Sequence, residues 1–183
     1  DRQPVGALQS LDPDHVVYLG STSKSLAPVL RLGWMVLPPE LVDAAVAAAG
    51  GGQWYVDAIS QLTMADFIAG GHYDRHIRRM RGRYRRRRDL LVERLADYNV
   101  GVRGLSAGLH LLLTLPDGAE PDVLYRAAEA GVALAGLSRL RHPLGGPHVP
   151  DPDGVVVSFG TPADHGFGPA VDALCGVLAA TGL

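Results

Sequence analysis

From residue 72 to residue 98 the chain runs without a proline. Ile77, Met80, Tyr84, Leu91 and Leu95 recur there at helical spacing, and arginine is the commonest residue at the other positions. One apolar stripe on an otherwise polar segment predicts a single long helix. The sequence changes character on either side of it, so the helix is the natural divider of the chain. The expected organisation is a first unit over 1–71, a connecting helix over 72–98 and a second unit over 99–183.

Before the helix, the apolar run HVVYLGS over 15–21 predicts a buried strand. The polar turn Ser21-Thr22-Ser23-Lys24-Ser25 comes next, and then a second run over 31–37, RLGWMVL, which Arg31 opens. The strands around Tyr18 and Trp34 read as parts of a larger sheet. Pro38-Pro39 marks a break and a helix start, and the triplet Gly50-Gly51-Gly52 stops the helix over 41–49. A further helix is expected over 57–69, with Ile59, Leu62 and Phe67 at helical spacing. After the long helix, strands are expected at 100–103, 109–115, 132–135 and 155–160, with a turn at 104–108 and a loop over 136–154. Helices are expected at 121–130 and 167–180. Strands alternating with helices give an α/β fold class.

The chemistry concentrates at one residue. Lysine and arginine together number 17, and Lys24 is the only lysine. Arginine does not readily give up its proton, so any amine chemistry by a side chain of this sequence falls to Lys24. An amine in a tight turn after a strand can condense with an aldehyde to form a Schiff base. Ser21 and Ser23 flank it with hydroxyl donors, and Arg31 is near enough in sequence to grip a phosphate with its forked guanidinium. An aldehyde-reactive amine beside phosphate donors is what pyridoxal 5'-phosphate (PLP) requires. Taken alone, the short motif fits a surface turn of common Ser/Lys composition equally well.

The surroundings extend the pattern. The segment GSTSKSLAPVLRLGWMVLP resembles the cofactor-lysine segment of fold-type I aminotransferases, and QLTMADFIAGGHYDRHIRRMRGRYRRRRDLL resembles the next stretch of the chain in the MocR branch of GntR-type transcription regulators. AGLHLLLTLP, AAEAGVAL and GVVVSFG resemble the small carboxy-terminal domain of that branch. The resemblance implies that 1–71 is the end of the large PLP-binding domain and 99–183 the small α/β domain of the aminotransferase fold. It implies PLP as cofactor and Lys24 as its Schiff-base lysine, with Ser21, Ser23 and Arg31 on the phosphate. It implies a cytoplasmic homodimer that senses PLP or a small amino compound, and DNA binding through an amino-terminal winged-helix domain absent from this sequence. The chain begins at Asp1 rather than methionine, as a piece of a longer protein would. The family's pyridine-nitrogen aspartate and stacking aromatic belong to segments before it. Many aminotransferases carry an arginine for the substrate carboxylate in the last strand, where this sequence has Val155, Val156 and Val157. Arg139 and Arg141, just after a predicted strand, are the alternative candidates for that role. A fold-type I aminotransferase and a cofactor-free fragment are the other two readings.

Remaining features point away from other chemistry. The formal net charge is −2, and no apolar run is long enough to span a bilayer. The arginines between 75 and 88 share a helix with an apolar stripe and with acidic neighbours, and read as a solvated or subunit-pairing face rather than a DNA contact. His72 and His76 lie four apart on one helix face, but no further ligand accompanies them, and no metal site is expected. Cys175 is the only cysteine and sits in an apolar segment as a small buried side chain.

Overall fold

In the first half of the chain, among the described residues, two short strands pair only with each other. Strand β1 (Tyr18–Ser21) runs antiparallel to β2 (Gly33–Val36), with Tyr18 opposite Val36 and Ser21 opposite Gly33. The computed structural model describes residues 6–50, 56–103, 108–142 and 152–183. The glycine triplet beyond Gly50, the predicted turn at 104–107 and most of the predicted 136–154 loop, including His148, lie outside these residues. The chain divides into two compact units, 1–79 and 80–183.

In the first unit, α1 (Pro39–Ala48) follows β2, and its entry over Pro38-Pro39 is where the double proline predicts it. Helix α2 (Ala58–Ala69) begins at Asp57, whose carboxylate accepts from the backbone N–H of Ile59 and Ser60. Those bonds satisfy donors that a helix start otherwise leaves open. The Ser60 side chain, and after it these backbone N–H groups, hold the Asp57 carboxyl below the usual carboxylate range. Helix α3 (His72–Leu95) then runs through the boundary between Arg79 and Met80. The first unit has almost no interior of its own. Among its described residues only Thr22, Leu32 and Pro38 are buried. The expectation of buried strands at 15–21 and 31–37 is therefore corrected within this chain: Tyr18 is 39% and Trp34 44% exposed. A two-stranded ribbon has no second layer to cover it.

The second unit has a conventional core. Strands β3 (Gly101–Arg103), β4 (His110–Thr114), β5 (Ala135–Gly136) and β6 (Gly154–Ser158) form an antiparallel sheet in the order β3-β4-β6-β5. Successive side chains alternate between faces. Leu111 and Leu113 of β4 and Val155 and Val157 of β6 are accordingly buried, while Leu112 is exposed. Against the buried face pack Val123 and Ala127 of α4 (Glu120–Glu129), and Phe167, Val171, Leu174 and Leu178 of α5 (Asp164–Ala180), with Leu91 and Leu95 of α3. Cys175 is buried in this cluster.

The strand expected at 132–135 is corrected to Ala135–Gly136. Gly131 turns the chain at φ 69°, and pairing with β6 exists only where Ala135 meets Val156 and Gly136 meets Val155. Val132 and Leu134 pack against the core without joining the ladder. The expected loop beyond them begins with a 3-10 turn, Leu137–Leu140.

Two charged side chains hold this unit together from within. The Arg87 guanidinium is 5% exposed and lies 4.7 Å from the centre of the Phe167 ring. It donates to the carbonyls of Phe159, Gly160 and Pro162 at 3.2, 3.3 and 2.6 Å and pairs with Asp164 at 2.9 Å. One arginine of the expected solvated face thus pins the connection between β6 and α5. Glu120, 3% exposed, accepts from the Ser138 hydroxyl, from Ser138 N–H at 3.2 Å and from Gly154 N–H at 3.1 Å. Position 136 has to be glycine here, because a Cβ on it would sit 2.2 Å from the Glu120 carboxylate.

Candidate functional site

The eleven residues between β1 and β2, 22–32, carry most of the polar side chains singled out in the sequence. The ribbon beneath them is fixed by a close approach. Gly20 faces Trp34 in register, and a Cβ at Gly20 would fall 2.1 Å from the indole. Only glycine lets the ring lie across the backbone there.

Thr22 anchors the connection. It is 1% exposed, and both its N–H and its hydroxyl donate to the carbonyl of Leu32, at 3.0 and 3.1 Å. Its own carbonyl accepts from the N–H groups of Ser25 and Leu26 at 3.2 and 2.8 Å. Lys24 stands inside that small turn, exposed. The Ser21 hydroxyl donates to Ser23 Oγ at 3.0 Å and accepts from Ser23 N–H at 3.1 Å, so the two serines form one polar patch beside the lysine. Among the described residues, neither the Lys24 amine nor the Arg31 guanidinium has a hydrogen-bond or ion-pair partner.

Arg31 does not open β2 as the sequence suggests. It closes a 3-10 turn, Pro28–Leu30, in the left-handed region at φ 50° and ψ 24°, two residues before the strand starts. It is the one non-glycine residue with positive φ among those described. A Cβ in that region crowds the following carbonyl at a cost of about 1 kcal/mol.

A second set of contacts, which the sequence reading missed, reaches this turn from α3. Tyr73 Oη donates to Ser25 Oγ at 3.1 Å, and His76 Nε2 lies 3.0 Å from the Ser25 carbonyl. No local spacing relates residue 25 to residues 73 and 76. His76 was considered in the sequence only as a metal ligand paired with His72. Instead, His72 stacks on Phe67 and accepts from Arg75. Among the described residues no group of three His, Cys, Asp or Glu could hold a metal ion.

Arg139 and Arg141 belong to the second unit. Arg139 lies in the 3-10 turn after β5 and lines an open cleft of about 420 Å³ with Leu124, Ala128, Val132 and Leu134. Arg141 follows that turn in extended backbone. No described helix is long and apolar enough to cross a membrane.

A lysine-bearing hairpin connection, a long helix and a small antiparallel sheet backed by helices, in that order along the chain, make the class plain: this is the architecture of the fold-type I aminotransferases. Kynurenine aminotransferase from Pyrococcus horikoshii shares it at a TM-score of 0.79 and 25% identity, over 98% of this chain and 45% of that one. The chain belongs to the aminotransferase class I and II family, whose sequence model matches residues 3–138. Among curated relatives it is 41% identical to the HTH-type transcriptional regulator YhdI of Bacillus subtilis (strain 168) over 140 residues, 74% of this chain and 30% of that protein. It is 36% identical to the probable rhizopine catabolism regulatory protein MocR of Rhizobium meliloti over 143 residues, 75% of this chain and 29% of that protein. The resemblance to MocR-type regulators read from the sequence is thereby borne out. The chain spans about a third of the length of these relatives.

Proposed function

We propose that this chain is the carboxy-terminal part of a PLP-binding, aminotransferase-like sensor in a MocR-type transcription regulator, with Lys24 as the cofactor lysine. One observation carries the reading. The only lysine of the sequence has no hydrogen-bond or ion-pair partner among the described residues; it stands in a tightly tied turn with Ser21 and Ser23, and the same connection holds Arg31 in a strained backbone.

The donor set fits the group: a primary amine for an aldehyde, and hydroxyls with a forked cation for a phosphate. When bound, PLP supplies the electrophilic aldehyde and an electron-withdrawing ring. Lys24 offers the attaching amine. Ser21 and Ser23 would donate to phosphate oxygens, the Ser21 hydroxyl turning from Ser23 to do so, and Arg31 would offer its forked guanidinium to the same group. The two serines, one bonded to the other, present their hydroxyls as a pair. Sensing requires that PLP, or a small amino compound exchanging with Lys24, favour one arrangement of the protein over another. The partners of this reading are that effector, a second copy of the chain, and DNA held by an amino-terminal winged-helix domain, all in the cytoplasm.

An enzymic reading, a PLP-dependent aminotransferase, draws on the likeness to kynurenine aminotransferase. Against it, β6 offers valines at 155, 156 and 157 and no cation for a substrate carboxylate. Arg139 or Arg141 would have to supply one.

Borohydride reduction of the full-length polypeptide with PLP, followed by peptide mapping, tests the site. The expected outcome is one label, on Lys24, and no steady turnover of amino donors with 2-oxo acids. A label elsewhere overturns the site, and turnover transfers the reading to the enzyme.

A further inference from the structure

We propose that Tyr73 and His76 are positioning residues that set the Lys24 amine against the phosphate donors of its own hairpin. The inference rests on the reading of Lys24 as the cofactor lysine, and names residues that act on it from another element.

The lysine turn is held from two sides. From the β2 side, Thr22 is fixed to the Leu32 carbonyl by two hydrogen bonds. From the α3 side, Ser25 is fixed by Tyr73 through its hydroxyl and by His76 through its carbonyl. Lys24 lies between these anchors, one residue from Ser25 and two from Thr22. The Ser25 hydroxyl, accepting from Tyr73, lies 3.4 Å from the Thr22 carbonyl and closes the two anchorages into one network. Residues 73 and 76 stand three apart and so share a face of α3. Both contacts to Ser25 are partly buried, which limits competition from water.

The chemistry fixes the roles. A carbonyl only accepts, so His76 carries its hydrogen on Nε2. Its Nδ1 is then the acceptor facing Arg79 Nη2 at 3.5 Å. His76 is thus oriented through one ring nitrogen and holds the turn through the other. Without the α3 anchorage, the lysine Cα sits on a loop attached only to a two-stranded ribbon. The amine can still react with an aldehyde, but it no longer stands where a phosphate on Ser21, Ser23 and Arg31 would place that aldehyde. Positioning of this kind acts on a ligand that binds at two points, and not on one that binds at the amine alone.

The test uses the full-length polypeptide and two aldehydes, PLP and its phosphate-free form, pyridoxal. Attachment at Lys24 is read by reduction and mass mapping, and the bound PLP by its absorbance band. Tyr73→Phe and His76→Ala are expected to weaken PLP attachment by about fivefold each, the loss of one hydrogen bond, and to shift the bound band. Pyridoxal attachment should stay within about twofold. His76→Gln, whose amide can donate from the same place, should restore PLP attachment. Should His76→Ala fail to fold by circular dichroism, Tyr73→Phe and His76→Gln carry the comparison. Equal losses with both aldehydes would mean that α3 merely exposes the amine, and overturn the inference. So would PLP attachment unchanged in Tyr73→Phe and His76→Ala. Absence of PLP from Lys24 in the unaltered protein would instead sink the cofactor reading, and this inference with it.

Discussion

Arg31 holds a conformation that its side chain disfavours, and the surrounding turn supplies the constraint: its N–H bonds the Pro28 carbonyl at 3.3 Å, while its guanidinium has no partner among the described residues. Strained residues persist where something over-determines them, often at ligand sites. Arg31→Lys preserves charge and backbone but loses the fork. In the full-length polypeptide it should weaken PLP binding by about tenfold, or about 1.4 kcal/mol. Arg31→Gly relieves the left-handed strain, and the freedom it adds to the unfolded chain offsets that gain. Its stability should therefore stay within about 1 kcal/mol of the parent while PLP affinity falls at least as far as in Arg31→Lys. Titration by absorbance with parallel urea denaturation checks both, and an Arg31→Lys protein that binds as tightly as the parent removes Arg31 from the site. The residue types at this site were legible, because amine, hydroxyl and guanidinium chemistry can be read from letters. The backbone of Arg31 was not, since no neighbouring glycine or asparagine announces a left-handed turn.

Elements were legible where periodicity is long and less so where a ladder is short. Helix α3 starts at His72 as its pattern predicts and ends at Leu95, three residues early. The strand expected at 132–135 shrank because its existence depends on a partner strand that sequence spacing does not locate. Glu120 shows the same limit. Nothing in its local sequence marks it as buried, yet it ties α4 to the turn after β5 and to the first residue of β6. Burial pushes its carboxyl up. The Ser138 hydroxyl and the N–H groups of Gly154 and Ser138 outweigh that, and its pKa lies below the ordinary value. A folded-state pKa below the unfolded one contributes stability that is fully present above the unfolded value, about 4.3. That contribution is lost as pH falls through the folded value. Glu120→Gln should cost about 2 kcal/mol at neutral pH and flatten the acid limb of the stability profile. Melting temperatures from pH 7 downward test this, and parallel acid limbs in the two proteins would contradict it.

At the scale of the whole molecule, the α/β order and, over most of the chain, the likeness to one family were legible, whereas burial was not. Periodicity marks which side chains are apolar, not whether anything covers them. Ile59 and Leu62 stand on α2 at 74% and 70% exposure, and β1 and β2 display Leu19, Trp34 and Met35. Large apolar side chains left exposed in such number usually find a partner. The chain as it stands should therefore self-associate, giving a sedimentation coefficient that rises with concentration. One monomeric species across a wide range would count against this.

Helix α3 belongs to both units, and its rotational phase is fixed twice: by Tyr73 and His76 in the first, and by Arg87, Leu91 and Leu95 in the second. An α-helix turns about 100° per residue. One residue gained or lost between His76 and Arg87 would therefore turn the face that carries Tyr73 and His76 by that angle, about the helix axis, from the face that carries Arg87, Leu91 and Leu95. Composition is constrained along that stretch as well, because Arg83 pairs with Asp164 and Tyr84 packs against the core of the second unit.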